Sequence, residues 1–208
     1  MALSAYRLPP RPKSAIPGFR IGLLGGSFNP AHEGHLHVSR MCLRQLALDR
    51  IWWLVSPQNR LKSTDDMAPL AERLAGARRV AAAEPRIDVT DIERHLKTQA
   101  TIHTLTRLTQ RFPHIRFVWL MGADNLLQFP RWHRWQAIAD TMPIAVYPRP
   151  GTSTKARRAP ALGYFKDRVL DPADGPALAD MAPPIITVLT GTEHPASATE
   201  IRSRTNKP

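Results

Sequence analysis

Alternation constrains this chain more than any other feature: short apolar runs recur with amphipathic stretches of helical period between them. Residues 20–24 read as a buried strand, Gly25 and Gly26 as a turn, and residues 34–48 as an amphipathic helix. Residues 51–55 repeat the strand, 57–66 form a polar loop, and 69–83 an alanine-rich helix whose proline sits in the tolerated first turn. A strand over 87–90, a helix over 101–112, a fully apolar strand over 115–121, a Trp-rich helical segment and a strand over 144–147 continue the series. Residues 148–184, rich in Pro, Gly, Ala and charge, read as an irregular excursion. A last strand over 185–190 and a loop with a short helix over 195–204 follow. Such alternation predicts an α/β, Rossmann-like parallel sheet with helices on both faces, whose ligands collect at the carboxyl ends of the strands.

The 208 residues suit one domain, assigned to 20–208, with 1–19 as a flexible leader. That leader carries Arg7, Arg11 and Lys13, but prolines interrupt it and it lacks the apolar centre of a secretory signal. No apolar run approaches the ~20 residues of a membrane-spanning helix, so a membrane role has no support. Cys42 is the single cysteine, which rules out an intramolecular disulfide and a thiolate metal cluster and points to a reducing cytoplasm. The formal charge of +12 calls for anionic partners, whether polynucleotides, acidic lipids or small phosphates, and charge alone does not choose among them. Much of it, as in residues 155–158, also reads as a solvated basic surface.

The densest chemistry lies between the first strand and its helix, in Gly25, Gly26, Ser27, Phe28, Asn29, Pro30, Ala31, His32, Glu33, Gly34 and His35. Glycines let backbone N–H groups approach an anion, and a helix start adds a positive dipole end. Neither G-x-G-x-x-G nor G-K-[ST] occurs, so a dinucleotide fingerprint and a P-loop both drop out. His32 and His35 are three apart at a helix entrance, a spacing that points both rings to one side. Phosphate donors, a zinc pair and incidental surface histidines are the three readings of that pair, and the H-E-x-x-H pattern of a zinc helix is absent.

The run G-G-S-F-N-P-A-H-E-G-H resembles the signature of the HxGH nucleotidyltransferase superfamily, whose members transfer AMP or CMP from a nucleoside triphosphate. The resemblance implies that His32 and His35 contact the phosphates and stabilise the transition state. Near the C-terminus, Ser197, Thr199 and Arg202 stand on the positions of the I-S-S-T-x-x-R motif, with Ala196 and Ala198 departing from it. Gly122, Ala123, Asp124, Asn125 and Leu126, followed by Phe129, Trp132 and Trp135, resemble the G-A-D-x-L-x-x-F-x-x-W-x-x-W stretch of bacterial nicotinate-nucleotide adenylyltransferases. There the Asp lies on the adenosine side and the first Trp stacks on the nicotinate ring, which implies those roles for Asp124 and Trp132. Trp135 is read as core. Weaker matches add Lys62 from a P-H-K loop, Thr101 from an S-Y-T-x-x-T-L segment in which Ala100 replaces Tyr, and Arg149 from an R-P-G turn.

The resemblance thus implies transfer of AMP from ATP, with magnesium, to nicotinate mononucleotide. Its catalytic set would be His32, His35, Lys62 and Arg202. ATP would meet Gly25, Gly26, Ser27, Phe28, Asn29, His32, His35, Gly122, Asp124, Arg149, Ser197, Thr199 and Arg202; the mononucleotide would meet Lys62, Thr101, Asn125 and Trp132. No protein-held metal site is expected, and assembly into a homo-oligomer is compatible with the sequence. Nicotinamide mononucleotide or another phosphorylated acceptor is the alternative within the class. A basic nucleic-acid-binding protein is the alternative outside it, resting on charge alone against several matched motifs.

Overall fold

Successive residues of the central strands face opposite sides, and both sides are apolar, so the sheet must be covered twice. A computed structural model describes residues 15–57 and 67–195. Among the described residues the sheet has seven strands: β1 (Arg20–Gly26), β2 (Arg50–Val55), β3 (Ile87–Thr90), β4 (Arg116–Gly122), β5 (Ile144–Tyr147), β6 (Val169–Leu170) and β7 (Ile186–Val188). Their order is β3-β2-β1-β4-β5-β7-β6, with every pairing parallel.

On one face Ile21, Leu23, Trp52, Leu54, Trp119 and Met121 pack under α3 (Ile92–Leu96), α4 (Thr101–Arg111), α5 (Ala123–Gln128) and α6 (Trp135–Thr141). On the other, Leu24, Trp53, Val55, Val118 and Leu120 pack under α1 (Glu33–Gln45) and α2 (Leu70–Ala81). The neighbours Trp52 and Trp53 thus enter different cores. The buried Trp53 indole N–H needs a partner and donates to Ser39 Oγ at 2.9 Å, which explains a fully buried serine inside α1.

Several boundaries differ from the sequence-based reading. Gly25 and Gly26 are the last residues of β1, paired with Leu54 and Val55, so the turn starts at Ser27. Pro69 sits one place before α2 as its cap. The Trp-rich segment divides into a 3-10 turn (Phe129–Arg131) and α6, because Arg134 adopts a left-handed φ of 51°. The expected irregular excursion contains α7 (Ser153–Ala156), α8 (Leu162–Phe165), the edge strand β6 and a 3-10 segment (Pro172–Asp180). Topology accounts for its length. Leaving β5, the chain skips one strand position, lays down β6 at the edge and returns over the sheet, so that β7 fills the gap in parallel. Ala15 and Phe19, from the end of the expected leader, pack against the core. Residues 1–14 of that leader, the loop beyond Pro57 with Lys62, and Ser197, Thr199 and Arg202 lie outside the described residues.

Strand order turns around between β1 and β4: from β1 the chain proceeds outward to β2 and β3, then crosses back to β4 on the far side. In sheets of this kind the crevice above that reversal, at the carboxyl ends, is where ligands bind. Both glycine-bearing motifs of the sequence end there, one on β1 and one on β4.

Candidate active site

α1 begins at this crevice, and His32 is its N-cap, extended at φ −151°, ψ 169°. His32 Nδ1 accepts the Gly34 N–H at 3.1 Å, and His35 Nδ1 accepts the His32 N–H at 3.3 Å. Two imidazoles thereby do what a Ser and a Glu do in an ordinary capping box. An Nδ1 that receives a backbone N–H carries no proton in the neutral ring, so both tautomers are fixed with the proton on Nε2. The ring centroids are 4.0 Å apart, so two imidazoles that each keep an Nε2–H stand together at the helix start.

His32 is 7% exposed and its pKa is lowered to about 4, by burial first and then by the charges of Arg149 and His194. It is therefore neutral at pH 7 in the free protein, a donor through Nε2–H without bearing charge. Folding excludes the proton, so as pH falls from 6.5 toward 4 the unfolded chain takes up a proton that the folded chain refuses, and stability declines across that window. Nitrogen-15 NMR of the imidazoles should show His32 as the Nε2–H tautomer with a midpoint near 4. A midpoint in the ordinary range above 6 would contradict this description.

The floor beneath the histidines is aromatic. Phe28, at a left-handed φ of 48°, places its ring 4.8 Å from His35 and stacks on Trp53 at 5.0 Å. Asn29 is buried, and its Oδ1 accepts the Ala68 N–H at 3.2 Å. The Phe28 ring and the Asn29 Oδ1, on residues expected on the ATP side, are thus engaged as supports of the turn.

Across the crevice, Gly122 ends β4 and Asp124 and Asn125 open α5, both half-buried. The Asp124 carboxylate faces Arg149 Nε at 3.5 Å, and its buried Oδ1 makes no hydrogen bond. A cavity of about 190 Å³ adjoins them, lined by Ala123, Tyr147, Pro148, Arg157, Leu189 and Thr190. The segment after β7 lies against α1: His37 Nε2 meets the Thr192 carbonyl at 2.8 Å and the His37 and His194 rings are 5.4 Å apart. Ser197 follows this segment by three residues in the sequence.

The third group of sequence-predicted residues lies around α4 and α5. Thr101 starts α4, and the half-buried Trp132 sets its edge on Phe129 at 5.6 Å. Trp135, read as core, packs against Phe129 and Tyr164.

Two residues beside the site went unread in the sequence. His194 had no motif to mark it. Arg73 had a signal: it shares the buried face of α2 with Ala77 and Ala81, where a charged residue is out of pattern. Among the described residues no group of three His, Cys, Asp or Glu side chains is placed to hold a metal ion.

The cytidylyltransferase-like family model matches residues 23–204. A probable nicotinate-nucleotide adenylyltransferase of Parvibaculum lavamentivorans is 59% identical over 188 residues, covering 90% of this chain and 93% of that protein. One from Gluconobacter oxydans is 48% identical over 183 residues, covering 88% and 93%. Among solved structures, Plasmodium falciparum nicotinic acid mononucleotide adenylyltransferase complexed with NaAD has the same fold, with a TM-score of 0.66 at 16% identity over 89% of this chain and 83% of that one.

Proposed function

The chain belongs to the cytidylyltransferase-like family and, within it, to the nicotinate-nucleotide adenylyltransferases, and from that membership we propose how its site works. It transfers AMP from ATP to nicotinate mononucleotide, forming deamido-NAD and pyrophosphate in NAD biosynthesis. The 5′-phosphate of the mononucleotide attacks the α-phosphorus in line; the new P–O bond forms as the bond to the β-phosphate oxygen breaks, and pyrophosphate takes up that electron pair. An attacking phosphate is already anionic near neutral pH, so no side chain has to remove a proton, and the protein's task is to position and neutralise.

The observation that carries this reading is the fixed pair of Nε2–H donors on His32 and His35, at the crevice where the strand order reverses. Donors held in place before the reaction stabilise charge as it grows on the α-phosphate and the leaving group. Gly25, Gly26, Ser27 and the backbone of Phe28 and Asn29 cradle the triphosphate, joined by Ser197, Thr199, Arg202 and Lys62. Asp124 and Arg149, with Gly122 beneath them, take the adenosine side beside the cavity. Trp132, Thr101 and Asn125 take the mononucleotide, the indole stacking on the pyridine ring. Magnesium would arrive with ATP and offset phosphate charge. No described helix is long and apolar enough to cross a membrane, and a cytoplasmic enzyme accords with the buried free thiol of Cys42.

Pyrophosphate release measured with ATP, magnesium and either nicotinate or nicotinamide mononucleotide tests the assignment. The acid should be preferred in kcat/KM by at least roughly tenfold. Preference for the amide would overturn the acceptor, and no release with any phosphorylated acceptor would overturn the enzyme.

A further inference from the structure

Arg73 is 4% exposed, and its guanidinium donates to four backbone carbonyls. Its Nε donates to Ala68 at 2.9 Å, one terminal nitrogen to both Ser27 and Ser56 at 2.7 Å, and the other to Pro57 at 3.0 Å. Burying a guanidinium is costly, and a planar fork of five donors is one of few groups able to hold several carbonyls in fixed relation. Where those carbonyls lie gives the arrangement its meaning. Ser27 opens the turn after β1, and Ser56 and Pro57 follow β2. Ser27 precedes Phe28, whose ring lies under His35. From the opposite face of the sheet, Ser56 is hydrogen-bonded to the half-buried Glu93, so the exit of β2 is held on both sides.

We propose that Arg73 is a positioning residue: by clamping the turn after β1 to the exit of β2 it sets the height of Phe28, and through Phe28 the aim of His35. The proposal rests on the catalytic reading of His35 given above. Misplacement of a reacting group by about an ångström is enough to cost on the order of a hundredfold in rate. Lysine keeps the charge of Arg73 but lacks the fork.

The test compares wild type, Arg73→Lys, His35→Ala and the double variant, each shown to be folded by circular dichroism and melting. Arg73→Lys should lower kcat about 30-fold or more, with the KM for either substrate changed much less. In the double variant, turnover should fall within about threefold of His35→Ala alone, because the group that Arg73 positions is gone. Near-normal kcat in Arg73→Lys, or losses that multiply in the double variant, overturns the proposal while leaving the catalytic role of His35 intact. Near-normal turnover in His35→Ala instead removes that role, and the positioning role with it. Should Arg73→Lys not fold, Arg73→Gln is put to the same comparison; failure of both to fold makes Arg73 a structural residue and overturns the proposal.

Discussion

Replacing His35 by Ala should lower turnover a hundredfold or more and leave the fold in place. His35 contributes an Nε2–H whose direction is fixed by the His32 N–H at its Nδ1 and by the Phe28 ring beneath it. Loss of one such preorganised donor typically costs about 10²–10³ in kcat. The structural cost is smaller, since His35 is half-buried and the N–H it leaves behind sits at a helix start beside the crevice, where water can replace it. Steady-state pyrophosphate release alongside thermal melting separates the two. A folded variant with near-normal kcat would remove His35 from the reaction.

Gly122→Ala should cripple the ATP side specifically. The backbone there, φ −73° and ψ 156°, is open to any residue, so conformational freedom is not what requires glycine. Space is. A Cβ would collide with the Asp124 carboxylate and lie 3.1 Å from Arg149 Cγ and 3.3 Å from Tyr147 Cε2. Asp124 and Arg149 would have to part, and the added methyl should cost about 1–3 kcal/mol of stability through overpacking. The KM for ATP should rise about tenfold or more, with the KM for the mononucleotide much less affected. An unchanged KM for ATP in a folded variant would remove Asp124 and Arg149 from the ATP side.

What could be read from the sequence follows what its signals are made of. The buried parallel strands β1, β2, β4 and β5 are short runs of Ile, Leu, Val and Trp, visible because both faces must be apolar. The His32 and His35 spacing was legible because helix geometry alone brings the rings together, and they stand 4.0 Å apart. Less legible were features decided by tertiary contact. β6 is two residues among charged neighbours, far too short for periodicity to register, and it exists because β7 offers an edge. α3 is five residues, ended by Lys97 in a left-handed conformation that no glycine announces. Phe28 and Asn29 read as ligand contacts because they sit in the motif, and that both side chains are buried was not legible there. The proximity of Arg149 and His194 to His32 joins loops more than a hundred residues apart in sequence, and only the sheet order makes them neighbours.

The imidazole at the head of α1 must look onto the polyphosphate if His32 and His35 act as proposed. The most direct measurement is the titration of His32 by nitrogen-15 NMR, without and with a non-hydrolysable ATP analogue and magnesium. In the free protein the midpoint should lie near 4; with the analogue bound, the anion at Nε2 should move it upward toward neutrality and shift the Nε2–H resonance. A His32 titration unmoved by a saturating analogue would place the phosphates elsewhere and contradict the account.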